Sequence, residues 1–245
     1  GSNSQLEVLY IMEKKPSIEQ DIIIGRYLSQ LGNLKKFFYI FDEEEGFENV
    51  VNLLPYSTIE FFGFKNSFSS KKMELLNSSL AKTKLSGLMI NTDCKNLENY
   101  RILMNNVAFS RQITKLIIHE DCTRSSNLEK IMEWFPMNLK VLKFTSKSRV
   151  RKEDALKLIE KLPTLLFNLE IFCFRVQIIA NDQEAAWKEL IEQLQSTYPF
   201  TQIQEIEFGN LDATEKLSCK QGKSPDLHYY YHDLSDNILD NIDLV

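Results

Sequence analysis

The chain has 245 residues, 43% of them hydrophobic and 26% charged, which places it with globular proteins and apart from disordered ones. Its 34 acids against 29 bases leave a net charge of -5, the wrong sign for a general nucleic-acid or anionic-membrane binder. No apolar run reaches the roughly 20 residues of a membrane span.

The elements follow one another in a regular order. Residues 1–5 read as a leader, with Gly1-Ser2 resembling the remnant of a cleaved tag. A short apolar triplet, large residues at positions 1, 4 and 6, begins at Leu6-Leu9-Ile11 and predicts a strand. Helical spacing follows over Ile18 to Leu31, where Ser17 and Gln20 form a capping box after Pro16. The triplet returns as Leu34-Phe37-Tyr39, with a helix from Phe47 to Leu54 that ends before Pro55. Ile59-Phe62-Phe64 leads to a helix over Met73 to Leu80 behind Ser69 and Ser70. Leu85-Leu88-Ile90 leads to Leu97 to Val107 behind Asn96. Ile113-Leu116-Ile118 leads to Leu128 to Phe135, behind Ser125 and Ser126 and before Pro136. Leu139-Leu142-Phe144 leads to Glu153 to Leu162, stopping before Pro163. Leu169-Phe172-Phe174 leads to Glu184 to Leu194 behind Asn181-Asp182, and Ile203-Ile206-Phe208 closes the series. The triplets start 25 to 34 residues apart, and every position in all of them is apolar.

Strand, helix and parallel strand in succession make a right-handed crossover. Repeated, the units stack, because one alone cannot bury its apolar face. This L-x-x-L-x-L pattern resembles the leucine-rich repeat family, in its longer helix-containing class similar to ribonuclease inhibitor, over about residues 6–211. The resemblance implies an α/β solenoid, a horseshoe of about eight strand–helix repeats. Its parallel sheet lines the concave face and its helices the convex face. One feature departs from the family. The ninth position, where Asn or Cys bonds backbone between turns, is Lys14, Asp42, Ser67, Asp93, Asp121, Lys147, Gln177 and Leu211. The alternative fold is an ordinary α/β sheet with crossover helices, which explains the alternation but not the sustained register.

Residues alternating with the triplets share the opposite sheet face. There Tyr10, Phe38, Phe61, Met89 and Ile117 stand among Lys36, Lys65, Lys115, Lys143 and Arg175, and the last repeat turns acidic with Glu205 and Glu207. An apolar patch with interspersed cations suits a hot spot for a protein or peptide bearing apolar and acidic groups. The expected partner-binding residues are therefore Tyr10, Phe38, Phe61, Lys65, Met89, Lys115, Ile117 and Lys143. Cover by the chain itself, or buried parallel strands that read as apolar throughout, are the competing explanations. The expected function is a non-catalytic protein-interaction domain, the recognition part of a larger protein. The resemblance implies kindred roles in F-box ubiquitin-ligase adaptors, intracellular immune receptors and secreted bacterial effectors. The compartment expected is cytoplasmic or nuclear.

Chemistry-bearing motifs are absent from the sequence: it contains no GxGxxG, P-loop, GxSxG or HExxH. No cofactor, metal or catalytic residue is expected. Cys94, Cys122, Cys173 and Cys219 form no CxxC pair and are expected as reduced thiols. His228 and His232 are four apart, a ligand spacing only on a helix, and an edge strand is expected there. The basic run Lys147 to Lys152 is expected to solvate a loop. Trp134 and Trp187 are expected in the core. Residues 212–245 lose the repeat and read as a cap or tail: a polar turn over Lys216 to Ser224, a strand at Tyr229 to Tyr231, and a short helix over Leu234 to Ile242.

Overall fold

Side chains alternate across a strand, so positions 4 and 6 of each triplet turn to the same side of a sheet. The computed structural model builds the whole fold on that side. It describes residues 5–11, 18–28, 30–40, 44–65, 69–92, 97–120, 130–131, 133–165, 167–181, 183–197, 205–209, 215–220 and 226–229. The strands are β1 (Val8–Ile11), β2 (Lys36–Ile40), β3 (Phe61–Lys65), β4 (Gly87–Thr92), β5 (Lys115–Glu120), β6 (Val141–Arg151), β7 (Ile171–Ile179), β8 (Glu205–Gly209), β9 (Glu215–Lys220) and β10 (Asp226–Tyr229). They form one sheet in sequence order, parallel from β1 to β8 and antiparallel through β9 and β10.

Helices α1 (Ile18–Leu28), α2 (Glu44–Leu53), α3 (Ser70–Leu80), α4 (Leu97–Ser110), α5 (Lys152–Leu165) and α6 (Gln183–Thr197) fill the crossovers. A parallel pair needs such a long connection, and its helix packs back on the sheet. Every residue of the six triplets from Leu34-Phe37-Tyr39 to Leu169-Phe172-Phe174 is between 0% and 4% exposed. They form one core with Phe47, Val50 and Val51 of α2, Leu103, Met104 and Val107 of α4, and Leu158 and Ile159 of α5. Ile131 and Phe135 enter the same core between β5 and β6, and Trp134 packs against it. Stacked rings run through this layer, as in Phe37–Phe62 at 6.1 Å and Phe144–Phe174 at 5.5 Å between centroids.

A second regularity joins the strands at their N-terminal ends. The carbonyl of Lys35 accepts from the amides of Glu60 and Phe61 at 2.8 and 3.0 Å, and that of Glu60 from Ser86 and Gly87 at 2.8 and 3.1 Å. The same forked bond recurs from Glu7, Ser86, Thr114 and Lys140. Side chains just before the triplets add to it. Thr58 Oγ1 donates to the Leu34 carbonyl at 2.9 Å, Asn138 Nδ2 to that of Ile113 at 2.8 Å, and Asn168 Nδ2 to that of Met137 at 2.9 Å. These bonds satisfy the loop carbonyls that a close-packed strand entry would otherwise strand without water.

The structure corrects several expectations. It is an α/β fold with one mixed sheet, and not a clear leucine-rich-repeat solenoid of about eight equal units. Strands run from four to eleven residues, β6 and β7 shift register between Thr145 and Arg149, and the last two strands return antiparallel. The face expected to be open and concave is largely buried, as described below. The physical reason lies in the connections: without a uniform ninth-position ladder, nothing imposes a constant turn on every unit. The basic run is no loop either. β6 continues to Arg151 and α5 begins at Lys152. There Arg151 pairs with Asp154 at 3.1 Å and Lys152 with Glu189 at 2.6 Å. α5 also runs through Pro163 to Leu165, and gives up there the one helical bond that a proline cannot donate.

Glu215–Lys220 forms β9 where a polar turn was expected, and the next strand is Asp226–Tyr229, starting three residues before the expected Tyr229 to Tyr231. At α3, Ser69 accepts from the Lys72 amide at 3.3 Å and caps the helix as its sequence predicts. The Ser17–Gln20 capping box, the start of the helix at Leu128 and the Leu234 to Ile242 segment lie outside the described residues.

Candidate functional site

The sheet face turned away from the helices carries the residues singled out from the sequence. Register aligns them in rows across the strands. One row runs Tyr10, Phe38, Gly63, Met89, Ile117, Lys143, Cys173. The row before it runs Val8, Lys36, Phe61, Gly87, Lys115, Val141, Ile171. The row after it includes Lys65, Asn91, His119, Thr145 and Arg175.

Four of the expected residues come together. Phe38, Phe61, Met89 and Ile117 form a small apolar cluster, against which Tyr10 packs. Tyr10 and Phe38 stack at 4.6 Å and 15°, and Phe38 meets Phe61 at 5.4 Å. Such pairs add about 0.5–1.5 kcal/mol beyond burial. Two glycines make the arrangement possible. A Cβ on Gly63 would lie 2.2 Å from Cδ1 of Phe38, and one on Gly87 would lie 2.2 Å from Cδ2 of Phe61. Each ring therefore lies across the bare backbone of the next strand. Strand alternation alone puts both glycines on this face. The signal was present: each follows an aromatic residue one register step away on the preceding strand.

The cluster is buried, with Phe38 6%, Phe61 3%, Met89 4% and Ile117 1% exposed. Lys143 is equally buried, beside Ile117 and Cys173 in register. These five expected contact residues are thus a floor rather than an open surface. Tyr10 and Lys115 are half-buried and Lys65 is exposed. Lys36 and Arg175, both half-buried, belong with them. Beyond the register shift, Arg149 and Arg151 keep the alternation of Lys143 and are exposed. Every described charged side chain on this face from β1 to β7 is a cation: Lys36, Lys65, Lys115, Lys143, Arg149, Arg151 and Arg175. Arg151 pairs with Asp154 of α5 at 3.1 Å.

The helix layer is different in charge. Arg101 donates two bonds to the Glu98 carboxylate, which holds that carboxyl below its ordinary range. The bond from Lys152 to Glu189 holds the Lys152 ammonium above its ordinary range. Among the described residues, no group of three or more His, Cys, Asp or Glu side chains is placed to hold a metal. Cys173 is buried and forms no disulfide. His228 stands on β10 opposite Lys216, so the helical ligand spacing is not formed there. Among the described residues no helix is long and apolar enough to cross a membrane.

No family model matches the chain, and no curated protein matches it either. Among solved structures, a Caenorhabditis elegans tropomodulin C-terminal domain aligns with 75% of this chain and 95% of its own, at 17% identity and a TM-score of 0.36. An AP endonuclease, family 2, from Brucella melitensis aligns with 84% of this chain and 92% of its own, at 9% identity and a TM-score of 0.27. Superpositions this loose bear on neither fold nor function.

Proposed function

We propose that the chain is a non-catalytic interaction domain, and that its sheet face takes a protein or peptide with acidic and apolar groups. One observation carries the reading: a single-sign row of cations stands around an apolar floor on a rigid sheet. Lys36, Lys65 and Lys115 flank Phe38, Phe61 and Met89 in register, so an incoming carboxylate meets a positive rim over low-dielectric ground. The floor keeps the strands in place before the partner arrives, which limits the ordering entropy lost on binding. The lysine rim makes the first contact. Phe38, Phe61, Met89, Ile117 and Lys143 support it from below.

Random-peptide display against the immobilised chain tests this. The expected outcome is enrichment of peptides carrying Asp or Glu beside large apolar residues. Their affinity should fall about tenfold or more on Lys65→Glu with Lys115→Glu, and should weaken with added salt. Peptides without acidic bias, or equal binding to the charge-reversed chain, would sink the reading. Lys65 is exposed and Lys115 half-buried, neither in the buried cluster, so the double variant should retain the fold, and circular dichroism checks it.

A further inference from the structure

The outer side of β1 and α1 has the character of an interface that lacks its second half. Leu6 opens its triplet as Leu34, Ile59 and Leu85 open theirs, yet it is 37% exposed where they are 0–1% exposed. All four residues of β1 are half-buried, while the first four of β3 are buried. On α1, Ile23 is 51% and Tyr27 60% exposed. They are four residues apart and so share one helix face. Leu28, on the inward side, is 1% exposed.

The backbone says what fits. The Glu7 carbonyl accepts from the amides of Lys35 and Lys36 at 2.8 and 3.0 Å. The amides of Glu7 and Val8 are the equivalents of that donor pair. By the register of the later units they fall on the side away from β2, where no described strand pairs with β1. An adjacent pair of outward amides matches one carbonyl of a parallel neighbour, as at every pairing from β1 to β7. A second copy meeting β1 about a two-fold axis would run antiparallel and lack that match. Charge adds a further condition. Glu7, Lys35 and Glu60 occupy the same place in consecutive units, and Lys35 pairs with Glu60 at 2.7 Å. The acidic Glu7 leaves room for a cation on its outer side.

We propose that this edge docks a strand–helix segment of a partner polypeptide. Its strand adds in parallel to β1, its helix covers Ile23 and Tyr27, and a Lys or Arg faces Glu7. The surface is separate from the lysine-rimmed face and does not depend on it. Exposed sheet edges of this kind recruit strands through main-chain bonds, with side-chain pockets giving specificity.

The chain itself supplies a probe. A peptide of residues 34–54 carries Lys35, and in the fold its far side already receives the strand led by Glu60. Fluorescence anisotropy of this labelled peptide on a soluble carrier, against the full chain, should show saturable binding. Tyr27→Glu and Glu7→Lys should each weaken it about tenfold or more. A peptide with Lys35→Glu should recover affinity for the Glu7→Lys chain. Lys65→Glu on the sheet face should change nothing. These are exposed positions, so the variants retain the fold. Three results would overturn the proposal. One is no saturable binding below about 1 mM. Another is binding indifferent to Tyr27→Glu or dependent on Lys65. The third is concentration-dependent self-association that Tyr27→Glu abolishes, which would make the occupant a second copy.

Discussion

Phe61 and Phe62 are neighbours in β3, and both are buried, at 3% and 0% exposed. They lie on opposite faces of the same sheet. Phe62 stands among Phe37, Phe64 and the helices, in a layer filled from both sides by large side chains. Phe61 turns a ring edge onto Gly87, beside Phe38, in a small cluster with Met89 and Ile117. The comparison shows two ways to bury a sheet. One face uses helices that interdigitate with it, and the other uses rings laid across glycines.

Removing each ring should expose the difference. Phe62→Ala leaves a hole walled by a helix and two aromatic neighbours, where little can move in. Its expected cost is about 4–5 kcal/mol, the upper part of the range for such truncations. Phe61→Ala opens a shallower hole above a glycine, into which neighbouring rings can slide, and should cost about 3 kcal/mol. Urea denaturation of both variants gives the comparison directly. Equal losses would mean that the two faces are packed alike.

The glycines offer a finer test. Gly63→Ala places a Cβ 2.2 Å from the Phe38 ring, and the contact is with a ring edge that must shift. Forcing it should cost about 1–3 kcal/mol. In a Phe38→Ala background the same change meets open space and also relieves the entropic penalty of a strand glycine. Gly63→Ala should then be neutral or stabilising. A double-mutant cycle measures the coupling, and additivity of the two changes would remove the ring-on-glycine account.

The same contrast explains how much of the molecule was legible in its sequence. The triplets were legible because positions 4 and 6 meet helices, which demand large apolar residues at a fixed period, and Leu88, Leu116 and Phe172 answer that demand at 0% exposed. Helices with clear caps, such as the one behind Ser69, were legible for the same kind of local reason. The opposite face was not. Phe38 and Phe61 read as exposed anchors because alternation tells which face a residue takes, not what covers that face. The glycines beneath them look like gaps in a one-dimensional pattern. Only strand register, a long-range property, brings Gly63 beside Phe38 and Gly87 beside Phe61. β9 escaped notice because Glu215–Lys220 is polar and takes its structure from β8 beside it rather than from its own pattern.

An ion pair between two helices gives the smallest expected effect. On the helix side Lys152 of α5 reaches Glu189 of α6 at 2.6 Å, and this bond raises the Lys152 pKa above its ordinary value. A raised lysine pKa means that the folded chain holds the proton more tightly than the unfolded one. The ion pair therefore contributes its full stability at neutral pH and up to about pH 10, near the unfolded lysine value. That contribution disappears as pH rises through the folded-state pKa. Both partners are partly exposed, so screening keeps it small. Glu189→Gln should return Lys152 to the ordinary lysine range, read by nuclear magnetic resonance of its Cε–Nζ group in wild type and variant. The melting temperatures of wild type and variant should differ slightly at neutral pH and converge above the lysine range. A Lys152 resonance that Glu189→Gln leaves unchanged would remove the pair as the cause of the raised value.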